Sequence, residues 1–413
     1  MIKQLLKQIW TQRTMNVWIW LELVIVFICL SYLVDYFYST ATTYYSPLGF
    51  DITHVYKVEL DDVPTNSNSY LKDQTDSIKT ENLMAVMNRL RTYPGIESAC
   101  VSLQGPCYTQ KQANGDRGAD STWVHGWIFH VTPEFFRVFG ITDKNDRVEP
   151  LVDAAMQERT VIASLDVEQK FAEKGVEALN FELKNKDAET SYATIRAITK
   201  SFRFDEFEKN YPAYYICLSE IRTFQREGVE AEIAIRVRAD MDTPEFIRNL
   251  RNDLNTQLRL GNIYLMDVTS FKDIRTNFFR ASGEMNNVKT HIAGMLFLLV
   301  NILLGVIGTF WIRTQQRKGE AALRMALGAS KMEIRKYLVA EGMLLLFIAA
   351  IPASVICGNI LFIVIDNYPF TIGRFLIGQL LTLLLMSVMI LAGIYFPSRQ
   401  AMRVKPAEAL HED

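Results

Sequence analysis

The sequence is poor in the patterns that enzymes use to do chemistry. Its five histidines, His54, His125, His130, His291 and His411, form no HExxH and stand at no metal-binding spacing from a cysteine, which removes the common zinc sites. There is no GxSxG elbow, no glycine-rich strand-to-helix fingerprint and no G-x-x-x-x-G-K-[ST] phosphate loop. An α/β-hydrolase nucleophile, a Rossmann dinucleotide site and a P-loop ATPase on this chain are thereby excluded. A formal net charge of −2 supplies no basic excess for holding nucleic acid. The five cysteines are too few and too scattered for a disulfide framework. No low-complexity tract or internal repeat occurs.

What the chain has in abundance is apolar sequence, and it is segregated. Four stretches are apolar enough to cross a hydrocarbon core of about 30 Å as helices: 17–37, 289–312, 338–365 and 375–396. Their apolar residues run all round rather than along one stripe, so membrane rather than globular burial is expected. The first is read as a retained anchor, because its apolar core is longer than that of a signal peptide. Residues 1–16 place Ile2, Leu5, Leu6, Ile9 and Trp10 on one helical face, as an interfacial amphipathic helix would. Cationic residues set the orientation. Lys3, Lys7 and Arg13 precede the first span, Arg313, Arg317, Lys318, Arg324, Lys331, Arg335 and Lys336 fill 313–337, and Arg399, Arg403 and Lys405 lie in the tail 397–413. The connection 366–374 carries only Arg374. Both termini and the 313–337 loop are therefore expected in the cytoplasm, and the long 38–288 segment outside.

That outer segment alternates strand-like and helix-like pieces, as an α+β domain does. Strands are expected at 54–60, 96–103, 159–165, 193–202, 213–219 and 231–239, and helices at 81–93 and 243–258. Thr243 and Pro244 suit the cap and first position of the second helix. The aromatic run 123–141 holds Trp123, Trp127, Phe129, Phe135, Phe136 and Phe139. It alternates before Thr132 and follows helical spacing after it, which reads as core packing rather than a ligand pocket. Cys100 and Cys107 face the oxidising side on this topology, and spacing alone leaves both the bridged and the free state open. Within the spans, Glu22 and Glu341 are expected to snorkel or sit in interfacial water. With Asp35 and Asp366 at span ends and Asn301 alone deep, no chain of ionisable groups crosses the bilayer.

The short loop 313–337 is unusual for being charged, helix-prone and broken by glycine. Its 315–327 part reads as one helix ended by Gly328, which takes the left-handed C′ conformation without penalty. Ser330 with Glu333 three residues on is a capping box that starts the next helix, which runs straight into the third span. Ala322, Leu323, Ala326 and Leu327 give a small apolar patch, and Glu320 with Arg324 an i,i+4 pair. Residues alone leave two readings of this helix open: one that docks on a protein, and one that lies on lipid headgroups.

The stretch from "RKGEAALRMALGASKMEIRKY" into the third span resembles the MacB/FtsX/LolC-E-like family of ABC-transporter permeases. The match runs through Glu320, Arg324, Ala326, Leu327, Gly328 and Ala329. The closing "FPSRQAMRVKPAEALHED" is similar to the family's ending through Pro397, Arg399, Ala401, Pro406, Glu408, Ala409 and Leu410. "YPGIESACVSL", "HVTPEFFRVFGI", "ASLDVEQKFAEKG" and "YATIRAITKSF" resemble landmarks of the MacB-like periplasmic core domain. After "VFGI" the resemblance loosens, which bears on substrate contacts.

The resemblance implies a fold of four transmembrane helices with a large α+β extracytoplasmic domain between the first and second. It implies a type VII, mechanotransmission permease in the bacterial inner membrane, with Glu320, Leu323, Arg324, Ala326, Leu327 and Gly328 docking on a separate ABC ATPase subunit that carries ATP and Mg. A second permease subunit would complete the pair, and no catalytic, cofactor or metal site is expected on this chain. A periplasmic adaptor and outer-membrane duct, the cargo and the choice of homo- or heterodimer are left open. Two rivals are a sensor or signalling subunit, marked by co-purification with a kinase instead of an ATPase, and an ectoenzyme, marked by hydrolysis.

Overall fold

The computed structural model describes residues 11, 13–103, 105, 107–109, 113–119, 121–185, 188–316, 319, 323–325, 327–364 and 371–401. Of the predicted 1–16 helix and 397–413 tail, most residues lie outside this set, as does Asp366. In chain order the described elements are α1 (Arg13–Tyr45), β1 (Val55–Asp62), α2 (Asp76–Thr92), β2 (Ile96–Ser102), β3 (Asn114–Ala119) and β4 (Thr122–Val131). Then come α3 (Phe135–Val138), α4 (Glu149–Ala155), β5 (Thr160–Ser164), α5 (Leu165–Glu173), β6 (Glu182–Asn185), β7 (Ala188–Thr199) and β8 (Ala213–Cys217). The chain continues with α6 (Glu220–Glu227), β9 (Glu232–Val237), α7 (Pro244–Gln257), β10 (Ile263–Ser270), α8 (Phe271–Ser282), α9 (Glu284–Gln316), α10 (Lys331–Val364) and α11 (Ile372–Ala401). They fall into a helical unit, residues 1–42 with 286–413, and an α+β unit, residues 43–285.

In the α+β unit the strands lie in the order β10-β1-β9-β2-β4-β3-β6-β7-β5-β8, and β8 also pairs with β4. The first four strands are mutually antiparallel, as in Val58 opposite Val268 and Cys100 opposite Ala234. With α2 after β1 and α7 after β9, they make the β-α-β-β-α-β order of a ferredoxin-like split fold. The remaining strands β3 to β8 are inserted between its second and third strands. They close into a six-stranded ring, because β8 lies parallel to β4, Trp127 opposite Ala213, and antiparallel to β5. Closure leaves these strands without a free edge.

Alternation explains which face each strand buries. Val58, Leu60, Val101, Ile233, Ile235 and Val268 pack under Leu83, Met87 and Leu90 of α2 and Leu250 and Leu254 of α7. Thr243 caps α7 by accepting from the Phe246 N–H at 3.2 Å, with Pro244 in its first turn. On the opposite face the aromatic run becomes core. Phe135, Phe136 and Phe139 are fully buried, Phe135 and Phe139 lie 4.8 Å apart, and Phe129 stacks on Tyr215 at 5.4 Å. Burying such rings removes about 150–250 Å² of surface each from water, which makes them strong contributors to a core.

Arg203 is 1% exposed and ties down the start of this unit. Its guanidinium donates to the carbonyls of Thr43, Ser46, Pro47 and Glu208, the last two at 3.1 and 3.3 Å. Close by, the Glu206 carboxylate accepts from Tyr108 Oη at 3.0 Å and from Arg275 Nε at 2.5 Å. All five cysteines are free thiols, so Cys100 and Cys107 are not bridged. Burial pushes both of these thiols well up, which keeps them protonated and inert.

Among the described residues, four helices are long and apolar enough to cross a membrane: Val17–Tyr45, Met285–Arg313, Lys331–Ile360 and Ile372–Tyr395. The α+β unit lies in sequence between the first and second. Helix α1 runs past residue 37 to Tyr45, and in its last turns Thr42 Oγ1 donates to the Tyr38 carbonyl at 2.8 Å. The shared core joins Leu23, Phe27 and Leu30 of α1, Val306 and Phe310 of α9, Leu346 and Ala349 of α10, and Met386, Met389 and Ile390 of α11.

Polar side chains link three of these helices, α1, α10 and α11. Arg374 holds Asp35 with two hydrogen bonds, at 2.8 and 2.6 Å. Gln379 links Ser31 at 2.7 Å and Ser354 at 2.9 Å. Such bonds are retained in lipid because water cannot replace them.

Candidate functional site

The loop joining α9 to α10 is built by local rules. Residues 323–325 are helical, and the turn that follows is a complete Schellman motif. Gly328 has φ +94°, its N–H donates to the Met325 carbonyl at 3.0 Å, and the Ala329 N–H reaches back to the Arg324 carbonyl at 3.0 Å. Only glycine adopts that φ without steric cost. Two residues on, the capping box closes: the Ser330 N–H donates to Glu333 Oε2 at 2.8 Å and the Glu333 N–H to Ser330 Oγ at 3.3 Å. The chain thus stops one helix, turns and starts α10 with the orphan groups on both sides satisfied.

Side chains reinforce the turn. The Arg324 guanidinium lies over the Tyr337 ring, 4.0 Å from its centroid, clasping the end of the short helix against the first turns of α10. Arg335 lies over Tyr395 of α11 at 5.1 Å. Leu323 is 53% exposed and Leu327 81% exposed, so two apolar side chains stand exposed at this hydrogen-bonded turn. Glu320, Ala322 and Ala326, predicted to belong to the same surface, lie outside the described residues.

Beneath the loop is a feature that sequence reading missed. Arg313, near the end of α9, donates to Glu341 Oε1 of α10 at 2.6 Å, and both residues are buried, 7% and 2% exposed. Phe310, Leu338, Gly342 and Ile394 surround the pair. The expectation that Glu341 snorkels is therefore corrected: a cation on the neighbouring helix neutralises it where it stands. Glu22 is likewise held inside the unit, accepting from Thr309 Oγ1 at 2.8 Å. The deep Asn301 spends its amide on its own helix, donating to the Phe297 carbonyl at 2.7 Å.

Elsewhere the described residues offer little chemistry. No group of three or more His, Cys, Asp and Glu that could hold a metal occurs among them. His54 pairs with Asp242, which also accepts from Tyr56 Oη at 2.5 Å, and His125 pairs with Asp116 at 3.1 Å. The first of these clusters ties the start of β1 to the turn after β9.

Comparison with known proteins agrees with the helical unit. Residues 292–406 match the family model described as FtsX-like permease C-terminal, a range that includes the loop, its turn and the Arg313–Glu341 pair. No curated protein is similar enough to count as a match. Similar solved structures include a domain of a putative permease from Porphyromonas gingivalis, at 12% identity and TM-score 0.33 over 52% of this chain and 90% of that one. Another is the extracellular domain of the noncanonic ABC-type transporter YknZ from Gram-positive bacteria, at 12% and 0.32 over 51% and 100%. A third is the periplasmic region of MacB from Actinobacillus actinomycetemcomitans, at 11% and 0.35 over 55% and 94%. Over residues 292–406 the chain is similar to the FtsX-like permeases, and its described residues include four helices long and apolar enough to cross a membrane, as in a multi-pass membrane protein.

Proposed function

We propose that the chain is the permease subunit of an ABC transporter whose ATPase is a separate polypeptide, and that the α9–α10 loop is where that ATPase presses. Both termini and the loop are cytoplasmic in this reading, in the inner membrane of a bacterium, with the α+β unit on the far side. Two such subunits pair. ATP binding and hydrolysis on the partner, with its Mg, shift the loops, and the membrane helices carry the shift to the α+β units. Those units then act on a substrate in the periplasm or the outer leaflet.

One observation carries the reading: Leu323 and Leu327 are exposed on a turn fixed by a Schellman motif, a capping box and a cation–π clasp, inside the segment that matches the permease family. A helix meant only for lipid headgroups gains nothing from so rigid a connection to α10. A docking helix does, because a rigid element delivers displacement rather than absorbing it. The cations of 313–337 are consistent with a cytoplasmic position.

The test is affinity capture of the tagged full-length chain from native membranes, with the co-isolated proteins identified. An ABC ATPase should come with the wild type and be lost with Leu323→Asp combined with Leu327→Asp, while membrane insertion persists. Retention of the ATPase by the double variant would show that docking uses another surface. Labelling of an introduced cysteine in the loop from the same side as the α+β unit would refute the topology and the function together.

A further inference from the structure

We propose that Arg313 and Glu341 are positioning residues that pass displacement from the loop-bearing helix α10 to helix α9. The inference rests on the docking reading above and deepens it. Its starting point is that the two helices flanking the loop are joined by charge at a place where charge is costly. The hydrogen bond is 2.6 Å, both residues are almost fully buried, and the surroundings are Phe310, Leu338, Gly342 and Ile394. An apolar pair of similar volume would often hold two helices at least as well, so packing alone gives no reason for ions here.

The geometry around the pair is that of a pivot. A Cβ added at Gly342 would stand 2.9 Å from Ile390 Cγ2, 3.0 Å from Ile394 Cδ1 and 3.1 Å from Phe310 Cε1. At Gly393 it would stand 3.2 Å from both Ile307 Cα and Phe310 Cβ. Helices α9, α10 and α11 therefore meet closely at this level, where a methyl group would have to displace its neighbours, and this contact is the point about which α10 tilts in the proposal.

Above that point the helix runs from Glu341 out to Lys331, about 15 Å at a rise of 1.5 Å per residue. It ends in the capped turn. A push on Leu323 and Leu327 thus acts on a lever whose fulcrum is the glycine contact and whose directional link to α9 is the ion pair. Apolar packing resists approach of two helices but lets them slide, whereas a charged hydrogen bond of fixed length resists sliding as well. Helix α9 starts at Glu284, where the chain leaves the α+β unit, so a displacement given to α9 is given to the segment that the unit hangs from in sequence.

The experiment uses the full-length chain captured with its ATPase and follows amide hydrogen exchange with and without trapping by ATP and vanadate. In the wild type, trapping should change exchange in 331–337 and in 284–296. The neutral pair Arg313→Met with Glu341→Met should insert and resist heat at least as well as the wild type, keep the response of 331–337 and lose that of 284–296. The charge-swapped pair Arg313→Glu with Glu341→Arg should restore it. A merely structural role predicts the reverse for the neutral pair: unchanged responses wherever the protein is folded. If 284–296 still responds in the neutral pair, or stays silent in an inserted charge-swapped pair, the pivot is overturned while docking stands. If 331–337 does not respond in the wild type, the docking reading falls and takes the pivot with it.

Discussion

Replacing Gly328 isolates the value of a preformed turn. Its φ of +94° lies in the region that costs a residue bearing a Cβ about 1–2 kcal/mol. Among the described residues, its chain neighbours aside, no atom lies within 4 Å of where that Cβ would be, so the cost assigned to Gly328→Ala is that of backbone conformation. If the ATPase needs the turn as it stands, the whole of that cost appears in binding, and Kd should rise about 5- to 30-fold. Gly328→Asn should lose less, below about fivefold, because asparagine visits the left-handed region readily.

Gly373 is the control. Among the described residues a Cβ there also meets nothing within 4 Å, and its φ is not positive, so Gly373→Ala should leave Kd within about twofold. The assay is binding of the purified ATPase proposed as partner to the full-length chain in lipid nanodiscs, with each variant's insertion checked first. Equal affinity for Gly328→Ala and wild type would show that the turn is not what the partner grips. Weaker binding by asparagine than by alanine would refute the conformational argument itself.

Three further outcomes follow from the structure. Arg203→Met strips a buried donor from the carbonyls of Thr43, Ser46, Pro47 and Glu208, at a net cost of about 1 kcal/mol per hydrogen bond lost, because the exposed Ser46 and Pro47 can turn to water; thermal unfolding of the full chain in detergent should drop by about 6 °C or more. Ser330→Ala removes one half of the capping box and should weaken ATPase binding by about 1 kcal/mol, or roughly fivefold. Burial pushes the Asp51 carboxyl up, but hydrogen bonds from Thr53 and the nearby Arg236 outweigh it and leave the group below its ordinary 3.8. A depressed folded value means that its stabilisation is complete above that ordinary value and is lost as pH falls through the folded one. The gap in melting temperature between wild type and Asp51→Asn should therefore narrow between about pH 6 and about pH 3.

What could be read from sequence was what is local. The strand of alternating apolar residues at 54–60 is β1, and Thr243 with Pro244 does begin α7, because both signals lie within a few residues of their effect. Strand β3, "NGDRGA", carries no such signal. It has no β-branched or aromatic residue and is a strand because β4 and β6 flank it, Gly118 opposite Trp123 on one side and Lys184 on the other. Strand β10, "IYLMDVTS", does alternate and could have been found; its neighbour β1 shows what to look for. Closure of the ring by β4 and β8 had no cue at all, since parallel pairing depends on what the intervening chain does.

The same division runs through the candidate site and explains which of its residues escaped notice. Gly328, Ser330 and Glu333 act on atoms at most five residues away, so spacing reveals them. Helical spacing pairs Arg324 with Glu320, which lies outside the described residues; that its guanidinium also rests on Tyr337, across the turn, is something no periodicity points to. Glu341 is the sharper case. A lone carboxylate one turn inside a span is best accommodated, on sequence grounds, by water at the interface, because its desolvation is costly and no partner is visible. The partner is Arg313, on the other side of the loop, and it becomes available only because α9 and α10 are antiparallel neighbours joined by that loop. Two residues that each look like a membrane liability are then one link, and the connection that brings them together is the one on which the ATPase is proposed to push. Reading a span's charges one helix at a time therefore hides the interactions that a lever between helices needs.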